Sequence, residues 1–161
     1  AARNLHPGNP RMPQSLACIR LHIVFSTKNR QPWITPDWAG RLYDYTGGIV
    51  RDTGCVLLAA GGMPDHVHLL VSLGRTISVA ELLRETKGGT SEWVHKNIRG
   101  MTGCAWQAGY GVFSVSHSLV SKVKAYIANQ AEHHKVQSFQ DELRDFLRKH
   151  GEKFDERYLW D

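Results

Sequence analysis

The chain predicts an α+β protein of the ferredoxin-like (RRM-like) class: a βαββαβ antiparallel sheet with helices on one face, followed by C-terminal helices that carry Tyr126. Three observations predict this. Short apolar, β-branched runs alternate with longer stretches in which apolar residues recur every three or four positions. Clusters of Gly, Pro, Asn and Asp separate them. The resulting order is strand, helix, strand, strand, helix, strand, then two helices, which is the split βαβ arrangement.

The first run, Leu16–Ser26, ends β-branched and aromatic before the polar TKNRQP and reads as a strand. Thr35, followed by Pro36 at the first helical position, opens a helix to about Asp52, with Trp38, Leu42, Tyr45 and Ile49 on one face. Cys55–Gly61 and His66–Leu73 are two short strands joined by the tight connection Gly62-Met63-Pro64-Asp65. Ser78 and Glu81 form a capping box for the second helix, whose inner face carries Val79, Leu82, Leu83, Trp93 and Val94. Gly88-Gly89 within it implies a kink or a close approach. Ala105–Trp106 and Gly111–Val115 supply the last strand region. Helices from about Ser118 to His134 and from about Ser138 to His150 complete the chain.

The 161 residues fit one domain, at 15–135, with a polar, turn-rich lead at 1–14 expected to be disordered and a charged helix and tail at 136–161. The lead lacks the apolar segment of a signal peptide, and no run is long enough to span a membrane. Cys18, Cys55 and Cys104 form neither a disulfide framework nor a CxxC zinc motif, which suits a reducing compartment. Net charge is uneven. Residues 132–161 hold six Lys/Arg against eight Asp/Glu, leaving fourteen against seven, or +7, on residues 1–131. A basic body suggests an anionic partner such as nucleic acid, although charge alone specifies no fold.

His66-Val67-His68 opens a strand, so the two imidazoles share a face about 7 Å apart, and both can reach one divalent metal. Taken alone, the pair is a weak signal, better matched by two metal-free exposed or edge-strand histidines than by a metal site. On a later helix, Tyr126 and Gln130 stand one turn apart, with Lys122 one turn before and Lys124 nearby. Tyrosine can attack phosphodiesters and glutamine offers a neutral oxygen to a metal, although a tyrosine in an amphipathic helix, taken alone, is usually a core or rim residue. Asp65, just before the histidine pair, can orient an imidazole or simply shape the turn. His133, seven residues after Tyr126 on roughly the same helix face, reads as a solvated surface histidine first and as a further group approaching the metal second.

These residues carry a resemblance. HIVFSTKNRQP at 22–32, MPDHVHLLVSL at 63–73, WQAGYGVFSVS at 106–116 and VKAYIANQAEHH at 123–134 resemble the single-tyrosine HUH transposases of bacterial insertion sequences and the related REP-associated tyrosine transposases. The resemblance covers residues 15–135. It implies a DNA transposase that cuts and rejoins single-stranded DNA through a 5′-phosphotyrosine on Tyr126. It also implies Mg²⁺ or Mn²⁺ held by His66, His68 and Gln130. Hairpin-ended DNA, a homodimer in which Tyr126 can serve the partner's site, and a bacterial cytoplasmic, nucleoid-associated location follow from the same likeness.

The metal would polarise the scissile phosphate and stabilise the leaving 3′ oxygen, which matters because free tyrosine titrates near pH 10. Phosphate contacts are expected from Lys28, Arg30, Lys87, Lys122 and Lys124, with Arg84, Lys96 and Arg99 as further cations. Trp33, Trp93 and Trp106 are either base-stacking or core residues. Two other readings stand beside the transposase: a domesticated HUH nuclease or nickase, and a non-enzymatic single-stranded nucleic-acid binder of the same fold. Against the binder, no strand carries the aromatic signature that stacks bases in RRM modules.

Overall fold

A computed structural model of the chain describes residues 15–160; the expected disordered lead at 1–14 lies outside them. Strand β1 (Arg20–Ser26) is followed by a single 3₁₀ turn at Lys28–Arg30 and helix α1 (Pro36–Asp52). Strands β2 (Val56–Met63) and β3 (His66–Ser72) form a hairpin, and α2 (Val79–Asn97) leads to β4 (Gly111–Val115). The four-stranded sheet is antiparallel, as the sequence predicts, and its strands run in the order β2-β3-β1-β4. Beyond it lie a 3₁₀ turn at His117–Leu119, α3 (Val120–Ala128), α4 (Gln130–His133) and α5 (Phe139–Lys149).

Strand alternation divides the sheet into two faces. Leu21, Ile23 and Phe25 of β1 join Val67, Leu69 and Val71 of β3 in a core shared with Trp38, Leu42 and Val50 of α1 and Leu82, Leu83 and Val94 of α2. Each such side chain contributes roughly 1.5–3 kcal/mol through burial. The opposite face presents His22, Val24, Ser26, His66 and His68, and it is this face that the C-terminal helices cover. Val24 and Phe113 pack there with Phe139 and Leu143 of α5.

The element ends follow local chemistry. Ser78 Oγ accepts from Glu81 N at 3.1 Å, the expected cap of α2, and Ser138 Oγ does the same for α5 from Asp141 N at 3.2 Å. Thr35 instead donates its hydroxyl proton to the Asp37 carboxylate. The Gly88-Gly89 pair does not break α2. A Cβ on Gly89 would stand 2.6 Å from Ile49 Cδ1, so this glycine serves the close approach of α1. The expected single helix from Ser118 to His134 is interrupted. Asn129, at φ −103° and ψ 26°, separates α3 from α4 and changes which later side chains turn inward. The strand expected at Ala105–Trp106 reduces to one bridge between Trp106 and Thr27. Among the described residues, all three cysteines are free and no helix is long and apolar enough to cross a membrane.

Candidate metal centre and nucleophile

His66 and His68 lie on the same face of β3, paired with Ser26 and Val24 of β1, and both are buried. His66 Nδ1 donates to Asp65 Oδ1 at 2.7 Å, the orienting contact that the sequence suggests for Asp65. His68 Nδ1 lies 2.8 Å from Nε2 of His22, a β1 residue that the sequence did not single out. These contacts turn the Nε2 atoms of both rings away from the strand and toward the C-terminal helices.

Helix α3 reaches this face because β2 has no side chain in its path. A Cβ on Gly61, the residue paired with His68, would stand 2.6 Å from the carbonyl oxygen of Ile127. The close approach sets the Tyr126 ring edge-on to His22 and His68, with centroids 6.1 and 5.9 Å away. Gln130, at the start of α4, is buried and places Oε1 3.4 Å from His66 Nε2, while its Nε2 donates to the Tyr126 carbonyl at 3.3 Å. His66, His68, Tyr126 and Gln130 are thus brought together, and one chain supplies all four.

Two more groups enter from the tail. His134, just after α4, holds Nε2 3.1 Å from Gln130 Oε1 and 3.0 Å from Glu142 Oε2. Glu142, on α5, lies among them, with Oε1 3.4 Å from His68 Nε2 and Oε2 3.8 Å from His66 Nε2. Tyr126 donates its phenolic proton to this carboxylate. Among the described residues, Nε2 of His68 and Oε2 of Glu142 are buried without a hydrogen-bond partner. Phe139 stacks on His66 at 4.4 Å and Phe146 meets His22 edge-on at 5.0 Å, so α5 seals the cluster with apolar rings.

Burial shapes the charge of the centre. It raises the Glu142 carboxyl to about 7, opposed by His66 and reinforced by Asp65. It lowers His22 to about 3, helped by His68 and His150, and holds His68 well below the usual histidine range, with His66 and His134 adding to the effect. His134 is lowered for the same reason. Burial pushes Asp65 up, but its hydrogen bond and attraction to His66 prevail and the carboxyl ends lower than usual. Neutral imidazoles with inward nitrogens, beside an unsatisfied carboxylate oxygen, suit a divalent cation.

Two clefts open on either side of this cluster. One runs past Tyr126, His22 and Glu142 and is lined by Lys122 and Lys149. The other runs past His66 and His134 and is lined by Arg30 and Lys135. Lys28 is exposed beside Arg30 on the turn after β1, whereas exposed Lys124 lines neither cleft. Lys87 stands apart: its ammonium donates to the carbonyls of Gln107, Ala108 and Gly109 and lies over the Phe25 and Tyr110 rings, bracing the approach to β4. Burial lowers it to about 8. Trp106 donates to Thr90 Oγ1 at 2.9 Å and meets Phe25 edge-on, and Trp33 and Trp93 pack against the core.

His133 does not join the cluster. Its ring lies tilted against the Tyr126 ring, with centroids 4.3 Å apart, and its neighbour His134 joins the cluster instead. The helical break at Asn129 explains the exchange, since spacing counted from Gln130, one turn before His134, gives the inward residue. Glu142 also left a signal: a carboxylate in the middle of the apolar stripe Phe139, Leu143, Phe146.

Comparison with known proteins agrees with this architecture. The family model described as "Transposase IS200 like" matches residues 15–130. The ISDra2 transposase TnpA of Deinococcus radiodurans is 23% identical over 117 residues, covering 70% of this chain and 84% of that protein. A crystal structure of a transposase from Deinococcus radiodurans R1 superposes with a TM-score of 0.61 at 24% identity, over 76% of this chain and 98% of that one. A REP-associated tyrosine transposase bound to a REP hairpin superposes with a TM-score of 0.57 at 15% identity, over 78% of this chain and 74% of that one. With the family match spanning the whole sheet, the histidine pair, Tyr126 and Gln130, the chain belongs to the IS200-like transposases.

Proposed function

We propose that this transposase cuts and rejoins single-stranded DNA at hairpin-bearing element ends, with Tyr126 as nucleophile and His66, His68 and Gln130 as ligands to a divalent metal. The observation that carries the reading is the convergence of the Tyr126 hydroxyl with buried, inward-facing imidazole nitrogens inside one chain. The bound metal supplies charge to the scissile phosphate and to the departing oxygen. Tyr126 Oη attacks phosphorus in line; the P–O3′ bond breaks as the P–Oη bond forms. The phenol gives up its proton and the 3′ oxygen takes one. The 5′-phosphotyrosine retains the ester linkage, so a second 3′-OH can reverse the step on a new strand without an external energy source.

The chain's other residues orient and bind. Asp65 holds the His66 ring and His22 steadies that of His68. Lys122 and Lys149 flank Tyr126 on one side, Arg30, Lys28 and Lys135 flank His66 on the other, and the two clefts suit a strand crossing the centre. Hairpin recognition is supported by the REP hairpin bound to the structural relative. The outer edges of β2 and β4 are unpaired within the sheet and offer a surface for a two-fold homodimer. The decisive experiment incubates the full chain with hairpin-bearing single-stranded DNA and Mg²⁺ or Mn²⁺, then resolves products on a denaturing gel. A metal-dependent covalent adduct supports the reading over a pure binder. Binding without any adduct overturns it.

A further inference from the structure

We propose that the C-terminal tail completes the metal centre, with His134 and Glu142 joining His66, His68 and Gln130 as ligands, and that the resulting set selects a transition-metal dication over Mg²⁺. The proposal rests on the reading of His66 and His68 as metal ligands. The match to the family model ends at residue 130, before either tail residue.

Hydrogen-bond direction makes the case. His134 Nδ1 lies 2.9 Å from the Gln137 carbonyl oxygen, which can only accept, so Nδ1 carries the proton and the Nε2 of the neutral ring is a lone pair. His66 Nδ1 donates likewise to the Asp65 carboxylate. His68 matches them in the tautomer whose Nδ1 donates to His22. Three Nε2 lone pairs then face the Glu142 carboxylate, with Gln130 Oε1 between two of them. Acceptors packed this closely repel unless a proton or cation lies among them. The Tyr126 phenol and, at 3.5 Å, the Gln130 amide donate only to Oε1 of Glu142, yet among the described residues Nε2 of His68 and Oε2 of Glu142, in residues 0% and 3% exposed, remain unpartnered.

Spacing points the same way. Ligands about 2.1 Å from a six-coordinate metal stand about 3.0 Å apart at right angles and about 4.2 Å apart when opposite, and five protein ligands leave one position open for a phosphate. The three imidazole nitrogens lie 3.8, 3.4 and 3.0 Å from Glu142 oxygens, within that range. One ligand atom from each of His66, His68, His134 and Glu142 lies within 4.8 Å of the others, and Gln130 Oε1 is 3.4 and 3.1 Å from Nε2 of His66 and His134. Three imidazoles and one carboxylate match the preference of Zn²⁺, Co²⁺ and Mn²⁺, whereas Mg²⁺ favours oxygen ligands and retained water.

The test uses the full chain, stripped of metal, and needs no DNA. Side-chain ¹⁵N NMR on Zn²⁺ addition counts the histidines that bind through Nε2. Three shifted resonances, those of His66, His68 and His134, are expected; shifts at His66 and His68 alone overturn the tail's role and leave the proposed function standing. No shift at any histidine overturns both. In parallel, Zn²⁺ and Mg²⁺ are titrated separately into wild-type, Glu142→Gln and His134→Gln proteins whose folding is checked by circular dichroism. Each variant is expected to lose about tenfold or more in Zn²⁺ affinity, at least the effect of removing a group that merely supports a ligand. Unchanged affinity in a folded Glu142→Gln protein removes that residue from the set, and Mg²⁺ binding as tight as Zn²⁺ overturns the selectivity. The NMR count on the wild-type chain decides the role of His134 even if a variant fails to fold.

Discussion

Replacing Gly61 with alanine tests whether the approach of α3 positions the nucleophile. The added Cβ would lie 2.6 Å from the Ile127 carbonyl oxygen and 3.0 Å from its Cγ2, against an ordinary contact of at least 3.4 Å. Relief at the carbonyl alone requires 3.4 minus 2.6, or 0.8 Å, of movement. The obstructing atom is helix backbone, so the displacement passes to α3 and to Tyr126, the residue before Ile127. Misplacing a reacting group by about 1 Å costs on the order of 10²-fold in rate. Overpacking of this kind costs about 1–3 kcal/mol, or a fall in Tm of roughly 2–4 °C per kcal/mol for a chain of this size.

The sign is diagnostic. Without the clash, Gly→Ala in a compatible backbone would stabilise by about 0.4–1 kcal/mol. Gly88→Ala provides that reference, since nothing lies within 4 Å of its added Cβ in α2. Single-turnover cleavage of hairpin DNA, fluorescence anisotropy for affinity, and thermal melting separate the effects. Gly61→Ala is expected to lose rate and stability while keeping affinity, because the cations lining the clefts are untouched. A Gly61→Ala protein that melts at or above wild type and cleaves at the wild-type rate would refute the reasoning.

Other outcomes follow from the same geometry. Tyr126→Phe should abolish the covalent adduct and leave hairpin affinity within about twofold, since only the hydroxyl is lost; an adduct persisting on a denaturing gel contradicts the assignment. Mixing a His66→Ala/His68→Ala protein with Tyr126→Phe should restore no cleavage, because each chain builds its own site; recovery of activity would show that Tyr126 crosses to a partner. Metal-free protein should lose stability as pH falls below about 6.5, because the unfolded chain protonates His22 there while the folded chain keeps it neutral down to about 3. The contribution is up to about 1.4 kcal/mol per pH unit for this group, and urea melts of His22→Asn should show a shallower dependence. An equally steep dependence in that variant removes His22 as its source.

The legible parts of this protein were those governed by local rules. Period-two alternation is enough to place His66 and His68 on one face, and the structure pairs them with Ser26 and Val24 opposite the helical core. Helical spacing is enough to associate Tyr126 with Gln130. The same rule misled at His133, because Asn129 interrupts the helix and the inward position becomes His134. Composition made Lys87 a candidate for DNA, but three nearby carbonyls hold its ammonium, and only tertiary structure brings residues 107–109 to α2.

Glu142 was the least legible, since no local rule says where α5 docks, yet its cost was written in the sequence. The apolar residues Phe139, Leu143 and Phe146 draw α5 onto the sheet and draw the carboxylate between them into the interior. Burying a charged group without partners costs several kcal/mol, while an apolar residue at the same place would carry no such penalty. Protonation relieves the cost, and the raised carboxyl shows that burial favours it. Coordination relieves it too, and leaves the group charged. The two forms make opposite demands on the surroundings: a protonated carboxyl needs an acceptor, whereas a carboxylate needs cations or donors. The surroundings are imidazole nitrogens, two of them with the opposite ring nitrogen held by Asp65 and the Gln137 carbonyl, and the Tyr126 phenol. A single proton on Glu142 can reach only one of those nitrogens at a time, while a dication can be shared by all of them. The nucleophile and the proposed metal ligands therefore meet at one carboxylate, and the tail helix becomes part of the centre it covers.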